Sequence, residues 1–238
     1  NNKYYFNGFI NKCNIQFNAC IDDNIHENII EYMHPYSNWI STHSDPNNLV
    51  QYDLFGKIDG KIYGNVKNLQ FGNSNQYIEF TSDILANLQE HSFSIYLKYF
   101  INKEIVQNQN YILISTIIYS RSNGFSITLE TKDNLQYIVC EIRLLCKRYI
   151  IKSPVSYELN KCNNVILTYN GDNCMQLYQN YNVVNTLTKL KNGKQNNITL
   201  NTYIGGYNNY KSFPGIIDDI KIFRRLLIDK ERCSLLDN

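Results

Sequence analysis

The stretch from Gly205 to Leu227 constrains the fold of this chain more than any other segment. In it, alternate positions are occupied by Ile216, Asp218, Ile220 and Ile222. Because side chains alternate between the two faces of a strand, this run predicts a strand with a carboxylate on the same face as three isoleucines. An ionised carboxylate on an apolar face must be paired, hydrogen-bonded or bound to a cation. Asp218 is therefore a candidate for a structural or functional role.

Turn signals bound this predicted strand. Gly205 and Gly206 permit a turn upstream, and Pro214 with Gly215 closes a loop immediately before the strand. The charged residues at 229–231 indicate a short terminal helix. The segment thus reads as a strand that leaves a sheet and ends in a helix.

The rest of the chain from residue 50 onwards also has the pattern of strands. Residues 93–100 and 111–119 are nearly continuous apolar runs, which indicates central strands covered on both faces. Residues 125–130 alternate strictly and predict a half-buried strand. Residues 165–169 and 175–178 flank an Asn-Gly-Asp-Asn sequence, the clearest hairpin signal in the chain. These patterns favour an all-β fold.

Composition limits the partners. A chain of 238 residues with 20 tyrosines suits one large all-β domain. The net charge of +2 gives no overall field that would indicate a nucleic acid or an anionic membrane as partner. No apolar run approaches the roughly 20 residues that span a bilayer, so we expect no membrane span.

Several segments, in their order along the chain, resemble one family. The segments are 69–80, 93–100, 164–180, 203–206 and 213–227. They resemble the early strands, the central hairpin and the closing strands of the concanavalin A-like lectin/glucanase superfamily, in its laminin-G and pentraxin branch. The resemblance implies an antiparallel β-sandwich, a jelly roll, over residues 49–238. Residues 1–48 do not match the pattern and are predicted to form an N-terminal extension packed on the sandwich.

The chain has seven cysteines and no Cys-x-x-Cys pair, which favours disulfides and an extracellular, secreted or cell-surface location. The candidates are Cys13, Cys20, Cys140, Cys146, Cys162, Cys174 and Cys233. A Cys140–Cys146 bridge requires a turn between the two, and a Cys162–Cys174 bridge depends on strand register. We predict that Cys233 pairs with Cys20 or Cys13; the alternative is a local Cys13–Cys20 bridge with Cys233 unbonded or paired to another chain.

Catalytic patterns are missing from the sequence. Glycanases of this fold place acids at alternate positions of one strand, and no such acidic alternation occurs here. The four histidines have no metal-ligand spacing, and no nucleophile or phosphate-loop motif is found. We therefore predict a protein that is not an enzyme.

Two roles are open for Asp218. The resemblance implies that the matching acid can support a structural calcium ion together with backbone carbonyls of an early loop, which here is 72–75. Calcium takes about six to eight oxygen ligands, and few acids lie near Asp218 in the sequence. The alternative is a hydrogen bond from loop N–H groups to the carboxylate.

Three side chains are candidates for ligand binding. Tyr207 and Tyr210 lie in the predicted loop 206–213, and Arg121 lies in the turn before the strand at 125–130. Tyrosine rings suit both sugar faces and protein interfaces. We expect a non-catalytic extracellular module that binds a cell-surface glycan or is adhesive. The alternative is a protein-protein interaction module of a surface complex or receptor-binding toxin, with a protein receptor as partner.

Overall fold

A computed structural model describes residues 50–51, 60–64, 66, 70–72, 75–81, 87–103, 105–117, 123–133, 135–145, 147–155, 159–180, 182–191, 201–207 and 211–236. The predicted extension at 1–48 lies outside these residues. The strands are β1 Val50–Gln51, β2 Gly60–Tyr63, β3 Tyr77–Thr81, β4 Ser92–Ile101, β5 Asn110–Ser115, β6 Gly124–Lys132, β7 Leu135–Leu144, β8 Lys147–Val155, β9 Cys162–Asn170, β10 Cys174–Gln179, β11 Asn182–Thr188, β12 Asn201–Ile204 and β13 Gly215–Phe223. A 3-10 turn, Leu88–Glu90, precedes β4, and the terminal helix α1 is Asp229–Leu236.

The described strands form two antiparallel sheets. The larger sheet has the order β1-β2-β3-β12-β5-β6-β7-β8, and the smaller has the order β11-β10-β9-β4-β13. Inward side chains of both sheets form one core, in which the ring of Phe93 lies 5.7 Å from that of Phe125 and 5.6 Å from that of Tyr169. The predicted all-β antiparallel sandwich is confirmed.

The hairpin predicted around residues 170–173 is confirmed as β9 and β10, with Met175 opposite Tyr169. Its turn is closed by Asn170, whose Oδ1 accepts hydrogen bonds from the N–H groups of Asp172, Asn173 and Cys174 at 2.9 to 3.0 Å. An Asn side chain stabilises a tight turn in this way because it replaces a backbone acceptor.

The terminal helix covers the outer face of the smaller sheet. Its Leu235 packs on a second apolar cluster formed by Tyr96, Ile166, Tyr178, Phe223 and Leu227. The connection is fixed to β4 because the N–H of Leu227 donates to Ser94 Oγ, which in turn donates to the Arg225 carbonyl. No helix in the described part of the chain has the length and apolar character needed to cross a bilayer.

The prediction that Asp218 shares a strand face with three isoleucines is wrong. In the pairing of β13 with β4, Ile217 lies opposite Tyr99 and Asp219 lies opposite Lys98, so one extra residue is inserted between them. This β-bulge interrupts the alternation of side chains between the two faces of β13, because two residues of the bulged strand lie opposite one residue of the partner strand. The core face of β13 is therefore formed by Ile217, Ile220 and Ile222, without the carboxylate.

Candidate ligand-binding face

An aromatic and polar surface lies on the outer face of the larger sheet, across β2, β3 and β12. On these strands Ile62, Ile78 and Ile204 point into the core, so the residues that alternate with them point outward. We call this surface the tyrosine face. Its members are Lys61, Tyr63, Tyr77, Glu79, Asn201, Tyr203 and Tyr207.

The four tyrosine rings form one contiguous group. Tyr63 lies opposite Tyr77 in the β2–β3 register, and the two rings stack at 4.5 Å with an interplanar angle of 15°. The ring of Tyr203 lies 5.9 Å from that of Tyr77 and makes an edge-to-face contact with Tyr207 at 4.6 Å. Tyr77 and Tyr203 are buried, whereas Tyr63 and Tyr207 are partly exposed. The inner pair thus supports the two rings that reach solvent.

Polar groups lie directly beside these rings. Oε1 of Glu79 accepts a hydrogen bond of 3.0 Å from the Tyr203 hydroxyl and a further bond from Nδ2 of Asn201. Thr81 Oγ1 donates to Oδ1 of the Asn201 side chain at 3.1 Å. Lys61, the register partner of Glu79 on β2, holds its ammonium 4.9 Å from the Tyr63 ring centre. A fixed carboxylate, an amide and a cation therefore border the aromatic rings.

Burial keeps the two inner tyrosines protonated. Burial raises the pKa of Tyr203, and although the Asn201 hydrogen bond lowers it, the Glu79 carboxylate raises it further. Burial also raises the pKa of Tyr77, with smaller contributions from Tyr63, Glu79 and Tyr207. Both hydroxyls are therefore neutral hydrogen-bonding groups at physiological pH.

The turn after β12 places Tyr207 on this face. Gly205 has φ +75°, and a Cβ there would lie 2.3 Å from the Phe71 ring, so the position requires glycine. The chain then reverses, and the N–H of Phe213 donates to the Gly205 carbonyl at 2.7 Å. The predicted turn at this site is confirmed. Tyr207 is a member of the tyrosine face, while the other two predicted ligand-binding residues, Tyr210 and Arg121, lie outside the described residues.

Asp218 lies in an ion pair. Its Oδ2 is 3.3 Å from the ammonium of Lys98, and 39% of its side chain is exposed. In the part of the chain that the structure describes, no three His, Cys, Asp or Glu side chains converge as metal ligands would. Gly72 and Asn75 are described, but residues 73 and 74 of the predicted carbonyl loop are not. The described side chains do not provide a calcium ligand set, and the structural calcium ion remains an untested prediction.

The acidic residues Glu130 and Glu141, on the outer face of β6 and β7, each form ion pairs with basic side chains. Glu141 receives two hydrogen bonds from Arg148, at 2.8 and 2.9 Å, and one from Arg143. Burial alone would raise the pKa of Glu141, but the two guanidinium groups outweigh it and lower the pKa. Glu130 contacts Lys152. Glu141 therefore has the environment of a paired structural acid and lacks the raised pKa of a general acid.

Strand register also separates Glu130 from Glu141. Glu141 lies opposite Ser126, four residues from Glu130 along β6. At the usual rise per strand residue these two acids are about 13 Å apart, further than the carboxyl pairs of glycoside hydrolases.

The structure corrects one predicted disulfide. Cys162 lies opposite Phe100, whereas Cys174 follows the turn at the other end of the β9–β10 hairpin. A Cys162–Cys174 bridge is therefore excluded by the register, because β9 spans their separation. Cys140 is buried in the core and Cys233 is exposed on α1, and neither is bonded to another cysteine among the described residues. Cys13, Cys20 and Cys146 lie outside the described residues, so the bridges that involve them remain predictions.

Sequence analysis missed six of the seven members of the tyrosine face and named only Tyr207. The signal available in the sequence was alternation along each strand, because Tyr63, Tyr77 and Tyr203 each stand next to an isoleucine that points into the core. Alternation predicts which side chains share one face of a strand, but it does not predict which strands are neighbours in the sheet. The adjacency of β3 and β12, which are far apart in the chain, brings these tyrosines together.

A family model agrees with this architecture. The model described as the concanavalin A-like lectin/glucanases superfamily matches residues 71–231. The chain belongs to the concanavalin A-like lectin/glucanase superfamily. The match to this superfamily includes β3, β12 and the turn with Tyr207, so most of the tyrosine face lies within it. No curated protein matches this superfamily member by sequence.

Solved structures with a similar fold include binding domains of botulinum neurotoxins. The binding domain of neurotoxin DC in complex with SialylT has a TM-score of 0.63 and 21% identity, over 90% of this chain and 52% of that one. The serotype D binding domain has a TM-score of 0.65 and 15% identity, over 89% and 52%. The DC binding domain in complex with rat synaptotagmin II has a TM-score of 0.59 and 20% identity, over 90% and 52%. This superfamily member spans about half the length of those domains, and at such identity the likeness shows the fold.

Proposed function

We propose that this chain is a non-catalytic binding module that recognises a carbohydrate through the tyrosine face. The observation that carries the proposal is the contiguous group of four tyrosine rings beside the hydrogen-bonded pair Glu79 and Asn201. Aromatic rings pack against the C–H faces of a sugar, while a fixed carboxylate and amide bind its hydroxyl groups.

The proposal gives separate tasks to the members of the face. Tyr63 and Tyr207 offer partly exposed rings, and the rings of Tyr77 and Tyr203 lie between them, each in contact with its neighbours. The carboxylate of Glu79 is oriented by Tyr203 and Asn201 before any ligand arrives. Such preorganisation lowers the entropy lost on binding. An extracellular or cell-surface setting follows from the same proposal, because that is where such glycans are displayed.

A second candidate is a protein receptor, favoured by the edge strand β11. Its Val183 and Val184 are exposed, and among the described strands of the smaller sheet β11 pairs only with β10. Exposed apolar side chains on a sheet edge are a common basis for protein association. One solved neighbour is a complex with SialylT and another is a complex with rat synaptotagmin II, so the fold is compatible with either class of partner.

A glycan array with matched variants tests the proposal. We expect binding that falls about fivefold in Tyr207→Ala and in Tyr63→Ala, since a stacked ring contributes on the order of 1 kcal/mol. The control is Tyr137→Ala, an outward tyrosine on β7 of the same sheet, which should bind like the wild type.

Binding to intact cells separates the two candidates. Glycan recognition predicts loss of binding after glycosidase treatment and in Tyr207→Ala. Loss only after protease treatment, together with sensitivity to Val183→Asp, would support the protein receptor and refute the carbohydrate proposal.

A further inference from the structure

One hydrogen-bonded network on the tyrosine face uses all of its side-chain donors within the protein. We call it the carboxylate network, and its members are Glu79, Thr81, Asn201 and Tyr203. The Thr81 hydroxyl donates to Asn201 Oδ1, and the Tyr203 hydroxyl donates to Glu79 Oε1. The Asn201 amide nitrogen carries two hydrogens and makes two bonds, one to Glu79 Oε1 and one to the Tyr203 oxygen at 3.1 Å. The described side chains of this network therefore have no donor left for a ligand.

The orientation of the Asn201 amide follows from the chemistry of its neighbours. A carboxylate can only accept hydrogen bonds, so the amide must turn its nitrogen towards Glu79. The amide oxygen then lies beside the Thr81 hydroxyl, which donates to it. The opposite orientation would place the amide oxygen against the carboxylate, with no hydrogen between the two acceptors.

What the carboxylate network offers a ligand is acceptor capacity. Oε1 of Glu79 accepts two hydrogen bonds, whereas Oε2 receives none from the described residues. Glu79 is also partly exposed. The hydroxyls of the surrounding tyrosines can both donate and accept, so they do not select between the two kinds of ligand group. Glu79 therefore favours a ligand that presents hydrogen-bond donors.

The charge of Glu79 acts against an anionic ligand. Lys61, its register partner on β2, forms no ion pair with Glu79 and lies with its ammonium against the Tyr63 ring. The carboxylate is thus fixed by hydrogen bonds but is not neutralised by that cation. A carboxylate or sulfate group on a ligand would meet a like charge and an acceptor oxygen where it needs a donor.

Lys61 does not reverse this preference. Its side chain is exposed, so water and salt screen its attraction for an anion. Its ammonium also lies 4.9 Å from the Tyr63 ring centre, so a cationic ligand would meet a like charge at that ring. The face is therefore unfavourable for a ligand of either charge.

We propose that the tyrosine face selects an uncharged sugar whose hydroxyl groups donate to Glu79, and that it rejects acidic sugars. This inference rests on the proposed carbohydrate binding and names its ligand class. The rings supply stacking area for a sugar, and the carboxylate network decides which sugars are accepted.

Matched pairs of sugars test the inference with the full 238-residue chain. The probes are the methyl glycosides of glucose, galactose and mannose and those of the corresponding uronic acids, which differ only in the oxidation of C6. Titrations are followed by ligand-observed NMR. We expect a neutral sugar to bind and its uronic acid to bind about fivefold more weakly, because like charges repel at short distance even in water.

Fluorinated sugars test the direction of the hydrogen bond. In the neutral sugar that binds, each hydroxyl is replaced in turn by hydrogen and by fluorine, which accepts hydrogen bonds but cannot donate them. At the position that contacts Glu79 both replacements should weaken binding at least about tenfold, because a hydrogen bond to a charged group is lost. If every position whose deoxy analogue binds weakly tolerates fluorine, the protein donates at those positions and the inference is overturned.

Glu79→Gln tests the residue itself, since this change keeps the size of the side chain, removes its charge and adds a donor. Binding of the neutral sugar should fall at least about tenfold, and the discrimination against its uronic acid should disappear. Glu130→Gln is the control, because it changes an acid of the same sheet that is paired with Lys152, and it should bind like the wild type. Urea unfolding of both variants verifies that the fold is retained. Unchanged discrimination in Glu79→Gln would contradict the inference.

The outcomes separate this inference from the proposed function. Uronic acids that bind as well as the neutral sugars, with binding weakened in Tyr207→Ala, would overturn the inference and keep the carbohydrate proposal. If Lys61→Gln then weakened the binding of the acids alone, the choice of ligand would be assigned to Lys61. Absence of binding to every sugar would refute the carbohydrate proposal and this inference with it.

Discussion

The hydroxyl of Tyr203 donates a hydrogen bond of 3.0 Å to Oε1 of Glu79, its register partner on the adjacent strand β3. Asn201 donates to the same oxygen, and its Nδ2 also donates to the Tyr203 oxygen at 3.1 Å. The three side chains thus form a closed network that fixes one carboxylate oxygen of Glu79. The orientation of the Glu79 carboxylate on the tyrosine face therefore depends on the hydroxyl of Tyr203, a residue that is itself buried.

Tyr203→Phe tests this dependence. The ring and its contacts are kept, but Glu79 loses one donor, so we expect the free energy of unfolding to fall by about 1 kcal/mol. We also expect weaker ligand binding, because Glu79 is less firmly oriented. Urea denaturation measures the change in stability, and the glycan array measures the change in ligand binding. Tyr137→Phe on β7 is the control, and equal effects in both variants would contradict the role of the network.

Stability should fall at alkaline pH. Burial raises the pKa of Tyr99, Tyr203 and Tyr169 above the ordinary value of 10.0, and that of Tyr169 reaches about 12. Above pH 10 the unfolded chain loses these protons while the folded chain keeps them, so the free energy of unfolding decreases as pH rises. Below that pH the contribution is complete. Urea midpoints on both sides of pH 10 measure the decrease, and tyrosinate absorbance of the folded protein should show a class of tyrosines that does not ionise near 10. Uniform ionisation of all tyrosines in the folded protein would refute this prediction.

Glu141 should contribute to the loss of stability at acid pH. The guanidinium groups of Arg148 and Arg143 lower its pKa below the ordinary 4.5 despite burial. Its stabilisation is therefore present above the unfolded pKa and is lost as pH falls through the lower folded pKa. Glu141→Gln should reduce the free energy of unfolding by about 2 kcal/mol at neutral pH and flatten its decline in acid. The control Glu130→Gln removes a more exposed pair with Lys152 and should change stability by less than about 1 kcal/mol. Similar losses in the two variants would disprove the assignment.

The variant Asp218→Asn distinguishes an ion-pair role of this carboxylate from a role in binding calcium. Because the carboxylate is 39% exposed beside Lys98, we expect a loss of at most about 1 kcal/mol. Melting temperatures with calcium and with a chelator complete the test. A calcium-dependent rise in the melting temperature of the wild type that Asp218→Asn abolishes would show that this carboxylate binds the metal after all.

The cysteines should react in a fixed order. Cys233 is exposed, while Cys140 is fully buried and its pKa is raised by that burial. We expect thiol reagents to label Cys233 in the folded protein and Cys140 only after unfolding, since the thiolate is the reactive form. Peptide mapping without reduction follows both sites. If Cys233 resists labelling until a reductant is added, the predicted bridge to Cys20 or Cys13 becomes the explanation.

The sequence by itself determined the strands and the class of fold. Alternation, turn residues and apolar runs are local properties, so they predicted the β9–β10 hairpin, the turn at Gly205 and the strand β13. Local alternation also led to the one error about β13, because nothing in Ile217-Asp218-Asp219 reveals a bulge. A bulge arises from the register with the partner strand, here Lys98 on β4, and that register is set more than a hundred residues away.

Only the tertiary structure decided which side chains share a surface. Tyr63, Tyr77 and Tyr203 become one face because β12 pairs with β3, a contact between segments separated by more than a hundred residues. Sequence determines what each strand presents to its two faces, since the two-residue period is local. Strand order and register depend on how the whole apolar core closes, and that global packing decides where the tyrosine face forms.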